Sequence, residues 1–237
     1  MLPSFPFSEE NDGIFFYYIT KYVRLQATPH SFLHIIDMTL NHFIYREETA
    51  LQIEISYDRQ NAVAYARKWA LTRNPLFYDF TGQGGDCTNF VSQCVYAGCG
   101  IMNPTPTFGW YYRSPTDRAP AWSGVEEFYR FMIGDPEFIK ANGGVGPYAS
   151  NAADSRVVEL GDVVQLADEE GRFYHSLLIT GITENDLLLT AHTNDAEDRP
   201  LSSYNYASLR ILHIEGARLD WNVPLRVAPF FEGIALE

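Results

Sequence analysis

The stretch Gly82-Gln83-Gly84-Gly85-Asp86-Cys87-Thr88-Asn89-Phe90-Val91-Ser92-Gln93-Cys94-Val95 decides how the chain is read. It runs from a glycine-rich turn straight into a helix. Phe90, Val91, Cys94 and Val95 recur at helical spacing and make one apolar stripe. Gly98 is the natural stop. Upstream, Asp58 or Ser56 caps a helix carrying Ala62, Val63, Ala66, Trp69 and Ala70. That helix ends before Asn74-Pro75, because proline disfavours helix at the residue before it. Downstream, the prolines and aromatics of 99–121 predict an irregular loop. Trp122–Ile133 reads as a third helix, ended by Gly134 and Pro136, and 140–156 as a second loop. The period then changes to two. Asp162–Leu166, Phe173–Thr180, Leu187–His192 and Leu209–Ile214 read as strands, with turns at Gly171 and Asn185. Helices followed by an antiparallel run of strands make an α+β fold, with the cysteine-bearing helix packed on the sheet.

Residues 1–52 differ from the rest. They are rich in Phe, Tyr and Ile, with a strand expected over Gly13–Leu25 and a helix over His30–Tyr45. Their composition does not suit a flexible linker. The expectation is an extension over 1–52 packed on a main domain over 53–237.

The chain has 237 residues, 46% apolar and 20% charged, the mix of a soluble globular protein. Disordered, collagen-like and disulfide-scaffold classes are excluded. No apolar run approaches the roughly 18 residues of a membrane span. The net charge of −13 repels phosphate backbones and anionic surfaces, so nucleic acid and membrane are not expected partners. Residues 1–12 are acidic and contain two prolines, unlike a secretory leader. With an odd number of cysteines, this points to a reducing compartment, the cytoplasm.

Cys87 opens a helix after a glycine turn. A helix N-terminus offers free amide donors and partial positive charge, which stabilise a thiolate and an oxyanion alike. The alternative is a packed structural thiol, which suits Cys94 on the apolar stripe and Cys99 beyond the helix stop. Position alone leaves Cys87 between the two. A thiol nucleophile needs a base. His175, in Phe173-Tyr174-His175-Ser176-Leu177-Leu178-Ile179, shares a strand face with Phe173, Leu177 and Ile179, and so points to the core side of a sheet. A hydrogen-bonded core histidine is the alternative. His192, Asn194 or, if the strand bends, Asp195 ends the next strand where it can orient His175. His30 and His34 stand at i, i+4 with no third metal ligand in view, so neither a metal nor another cofactor is expected. The aromatics of Phe108–Tyr112, Trp110 among them, are core or the lining of a groove.

Tyr57-Asp58-Arg59, Ala62-Val63, Tyr65-Ala66, Trp69-Ala70, Arg73-Asn74-Pro75 and Gly85-Asp86-Cys87-Thr88-Asn89-Phe90-Val91-Ser92-Gln93 closely resemble the bacterial putative amidase domain family. Gly109-Trp110, Trp122, Gly161-Asp162-Val163, His175-Ser176 and His192-Thr193-Asn194-Asp195 continue the resemblance in order, over roughly 57–205. That family looks related to the NlpC-type and CHAP peptidases. The resemblance implies a papain-like core, Cys87 as nucleophile, His175 as base, and His192 as the third member, with Asn194 or Asp195 as alternatives. It implies cleavage of amide bonds in peptides or peptidoglycan-derived muropeptides. Gln83 stands near the place of an oxyanion-hole glutamine, though at a spacing that is not papain's. Asp86, Trp110 and Asp195 complete the candidate binding residues. A thioester-forming transferase, a protein deamidase and a non-catalytic binding module are the other classes that fit.

Overall fold

A computed structural model describes residues 52–152, 157–220 and 232–233. The chain divides after Leu51, and the unit beginning at Gln52 is described by itself. The expected strand 13–25, the helix 30–45, the His30/His34 pair and the packing of the N-terminal extension lie outside the described residues.

The element order is β1 (Gln52–Ser56), α1 (Arg59–Trp69), α2 (Cys87–Cys99), β2 (Tyr112–Ser114), β3 (Asp117–Arg118), α3 (Pro120–Ser123), α4 (Val125–Met132), α5 (Pro136–Asn142), β4 (Gly146–Asn151), β5 (Val163–Ala167), β6 (Phe173–Ile182), β7 (Leu187–Ala191), β8 (Ala196–Pro200) and β9 (Ser208–Asp220). A seven-stranded sheet runs β1-β9-β5-β6-β7-β8, with β4 also on β9. All its pairings are antiparallel. The fold is mixed helix and antiparallel sheet, as the period change predicts.

Capping and glycine chemistry set most boundaries. Asp58 caps α1 by accepting the Asn61 amide at 3.0 Å. Gly98 proves not to be the stop of α2. It lies inside the helix, where an added Cβ would stand 2.1 Å from Cε2 of Tyr57. The stop is Gly100, in the left-handed region at φ 68°. The expected third helix is broken at Gly124, whose extended backbone separates α3 from α4. The segment after Gly134 forms another short helix, α5, because Asp135 caps it through the Glu137 amide and Pro136 suits its first turn. The two expected loops also contain strands. β2 and β3 are short, while β4 is held by pairing with β9 rather than by its own pattern.

The sheet is covered on both faces. On one, α1, α2 and the 101–138 segment bury Phe90, Val91, Cys94, Trp110, Trp122 and Phe128 against Val163, Leu178, Leu212 and Ile214. On the other, Val164, Leu166, Leu177, Ile179, Leu189 and Ala191 form a second cluster with Leu201, Tyr204 and Tyr206 packed against it. Burial of both faces explains why Val163–Ala167 and His175–Thr180 are continuously buried rather than alternating. Among the described residues, no helix is long and apolar enough to cross a membrane.

The Tyr57 ring occupies the space of a Gly98 side chain, and its hydroxyl donates to the Gly161 carbonyl at 3.1 Å. Gly98→Ala forces that buried ring aside. Thermal or urea unfolding of the full chain is expected to show a loss of about 1–3 kcal/mol.

Candidate active site

The glycine turn, the start of α2 and the end of β7 meet at Asp86. This residue is fully buried. Its carboxylate accepts the Phe80 amide at 3.0 Å and the Asn89 side-chain amide at 2.8 Å. His192 Nδ1 lies 2.7 Å from its other oxygen, and Arg73 Nε lies 3.6 Å from that oxygen. The Asp86 backbone N–H donates to Thr193 Oγ1 at 2.7 Å. Thr193 holds a left-handed φ of 84°, a conformation that costs a β-branched residue about 1–3 kcal/mol. An added Cβ on Gly85, itself at φ 112°, would stand 3.3 Å from the same Thr193 oxygen. Glycine there lets the turn approach this close.

Asp86 uses its carboxylate on these partners and makes no side-chain cap on α2. The helix therefore begins without a side-chain acceptor on its first-turn amides, as an oxyanion site requires. Cys87 stands at this point, 6% exposed. Its thiol lies 3.9 Å from Thr88 Oγ1 and against the backbone N–H of Ser176. Burial pushes the Cys87 thiol up from its ordinary value, while the Ser176 N–H and the Thr88 hydroxyl pull the other way. Cys94 and Cys99 are more deeply buried, and burial pushes Cys99 up to about 12.

The other polar residues of the motif serve the core. Asn89 Oδ1 accepts the Trp122 indole N–H at 2.8 Å, and Ser92 Oγ accepts that of Trp110 at 3.0 Å. Gln93 Oε1 accepts the Tyr65 hydroxyl at 2.8 Å. Thr88 Oγ1 meets Ser176 Oγ at 2.9 Å, and Gln165 Nε2 donates to that Ser176 oxygen at 3.1 Å. A buried aromatic with a polar tip needs such a partner. Trp110 is fully buried in the core, so the groove-lining reading of it is corrected.

The structure separates most of the residues grouped from sequence. The Ser176 side chain faces α2 through Thr88. His175 therefore leaves β6 on the opposite face, paired across the strand with Leu166 of the second cluster. The sequence pattern places His175 correctly with Leu177 and Ile179, but α2 lies on the other side. No hydrogen bond joins Cys87 to His175 among the described residues. His192 does not orient His175. Its Nδ1 meets Asp86, its Nε2 meets the Trp69 carbonyl at 2.8 Å, and its ring stacks on Phe90 at 3.8 Å. A carbonyl only accepts, so Nε2 carries a proton. Asn194 is exposed on the turn after β7. Asp195 pairs with Arg73 at 2.8 and 2.9 Å. Gln83 is exposed, and its side chain donates to the Tyr78 hydroxyl at 2.7 Å.

His175 is 9% exposed and makes no hydrogen bond among the described residues. Its neighbours are aromatic, Tyr174 at 6.2 Å and Tyr204 at 6.3 Å between ring centres. Burial, helped by the Arg199 charge, pushes its imidazole down to about 4. Sequence reasoning did not find Arg73, Thr193 or Arg199 around these residues. The unusual Thr-Asn-Asp turn after His192 was the one signal available for Thr193.

A family model described as Putative amidase domain matches residues 56–214. The chain belongs to this family. The amidase-domain match spans α1, α2 and all of β4 to β8, and so holds both Cys87 and His175. Over 157 residues the chain is 28% identical to Uncharacterized protein YhbB of Bacillus subtilis (strain 168), covering 65% of this chain and 47% of that protein. The chain thus spans about half the length of this curated relative. No solved structure matches it. The family description points to amidase activity in general.

Two outcomes follow from this electrostatic setting. Iodoacetamide labelling of Cys87 in the free protein should rise with pH through the alkaline range without a plateau near neutrality. It should still outpace Cys94 and Cys99. Site-resolved mass spectrometry reads this. The second concerns acid stability. The unfolded His175 imidazole takes up a proton as pH falls through 6.5, while the folded one waits until about 4. Stability is therefore lost across that window, by up to about 3 kcal/mol. Urea unfolding of His175→Gln should show a correspondingly flatter acid limb.

Proposed function

We propose that this protein hydrolyses an amide bond with Cys87 as nucleophile and His175 as base, on a papain-like core of the NlpC type. The observation that carries the reading is the availability of the two groups. Cys87 sits at a helix start without a side-chain cap, with its thiol on the Ser176 N–H. His175, the next residue back along β6, is hydrogen-bonded to nothing among the described residues, whereas His192 and His213 are both engaged. The bulge at Tyr174, between the pairs Leu166↔His175 and Ala167↔Phe173, is where β6 can re-aim His175 as substrate binds.

The resting pair is a neutral thiol and a neutral imidazole, because burial disfavours both charged forms. General-base attack then replaces a preformed ion pair. His175 takes the thiol proton as sulfur bonds to the amide carbonyl carbon. The first-turn amides of α2 stabilise the oxyanion. The imidazolium returns the proton to the leaving amine, leaving a thioester. Water, deprotonated by His175, releases the acid and restores the thiol. A short peptide or muropeptide suits a chain of net charge −13 better than an intact anionic wall polymer. His192 acts on this scheme through Asp86, holding the start of α2.

The opposed faces of Cys87 and His175 favour one second reading, a binding module that keeps the fold without turnover. Screening against peptide and muropeptide libraries separates the two. For the hydrolase, Cys87→Ala and His175→Gln should each lower kcat/KM by at least about 100-fold with the fold intact by circular dichroism. A wild-type protein that turns over no amide while binding one of these ligands, with Cys87→Ala binding it equally well, establishes the module.

A further inference from the structure

In this acidic chain, every described arginine except Arg118 and Arg199 is ion-paired with a carboxylate. Arg118 is otherwise engaged. It donates to Ser123 Oγ and the Pro115 carbonyl, and it covers the Phe80 ring. Arg199 is held but not neutralised. Its Nε donates to Ser203 Oγ and its Nη2 to the Ser203 carbonyl, each at 2.9 Å. Its guanidinium lies 4.0 Å above the Tyr204 ring. Two of its five N–H donors are used by Ser203, and the rest have no carboxylate to meet.

Two further polar groups without partners stand at the same place. The Tyr204 hydroxyl is buried with no hydrogen bond, an arrangement that costs a polar group about 1–3 kcal/mol unless a ligand fills it. The His175 ring, 6.3 Å from the Tyr204 ring, is likewise unbonded, and Arg199 is the charge acting on it. A preset guanidinium beside a phenol matches a planar anion that takes parallel N–H donors on two oxygens. We propose that Arg199 and Tyr204 bind a carboxylate group of the substrate beside His175. The inference rests on the hydrolase reading for the word substrate, and it names the substrate class as peptides that carry a free carboxylate. Bound there, the carboxylate offsets the Arg199 charge at His175, while burial, the larger influence on that imidazole, is left in place. Arg199 is then a specificity-determining residue.

The test uses the full chain and two small probes, N-acetylglycine and its neutral counterpart N-acetylglycinamide. Ring signals of His175, assigned by comparison with His175→Gln, are followed by NMR during each titration. The expected result is a saturable shift with N-acetylglycine and none with N-acetylglycinamide. Arg199→Gln should weaken the acid by at least about tenfold, and Tyr204→Phe by a few-fold. Arg199→Lys guards against a folding defect, since it keeps the charge but loses the fork and should also bind more weakly. Equal responses to acid and amide, no saturable response, or unchanged affinity in Arg199→Gln overturns the proposal. The binding readout needs no turnover. Carboxylate binding without amide cleavage sinks the hydrolase alone, and cleavage that ignores the carboxylate sinks this inference alone.

Discussion

The buried carboxylate of Asp86 is the constraint on which the rest of the site depends. A carboxylate removed from water costs several kcal/mol unless its oxygens are filled. Here they are filled from the preceding turn by Phe80, from the helix by Asn89, and from the end of β7 by His192. Three separate pieces of chain are thereby fixed around the residue before Cys87. The Thr193 hydroxyl on the Asp86 amide closes the arrangement from the other side. An aspartate before a helix would ordinarily cap it. This one is committed inward, and the helix start is left open at the cysteine.

The same logic runs along α2. Asn89, Ser92 and Gln93 look like a polar stripe that might face a ligand, yet each satisfies a buried indole or phenol. The signature of the segment is therefore largely architectural, and Cys87 is the member of it that the proposed hydrolysis uses. Opposing influences act on its thiol. Helix amides and the Ser176 N–H favour a thiolate, while burial opposes it. Under the proposed hydrolysis, a base that remains neutral complements such a thiol better than a permanent imidazolium would.

Charge is distributed with similar economy. Excess acid along the chain occupies nearly every described arginine in surface or half-buried pairs, each worth little to stability on its own. An arginine outside that pattern, fixed by a turn and set beside an unbonded histidine, therefore stands out against the background. The orphaned Tyr204 hydroxyl strengthens the contrast, since buried polar groups are generally satisfied.

Much was legible in the residues. The periods of three to four and then two gave the class, and the strands Phe173–Ile182 and Leu187–Ala191 fall close to their expected bounds because alternation and turn residues are local properties. Cys87 at a helix start followed from the glycine turn. What the sequence by itself determined is the change from helices to strands along the chain, the faces that the expected strands' side chains take, and the cysteine that opens α2. Only the tertiary structure decided which face of the sheet α2 covers, and hence that Cys87 and His175 leave opposite sides of β6. It also decided that His192 serves Asp86 and that Gly98 marks a close approach by Tyr57. A strand's periodicity states which residues share a face, but the packing partner of each face is a long-range choice, set by burial and hydrogen bonds between segments far apart in the chain.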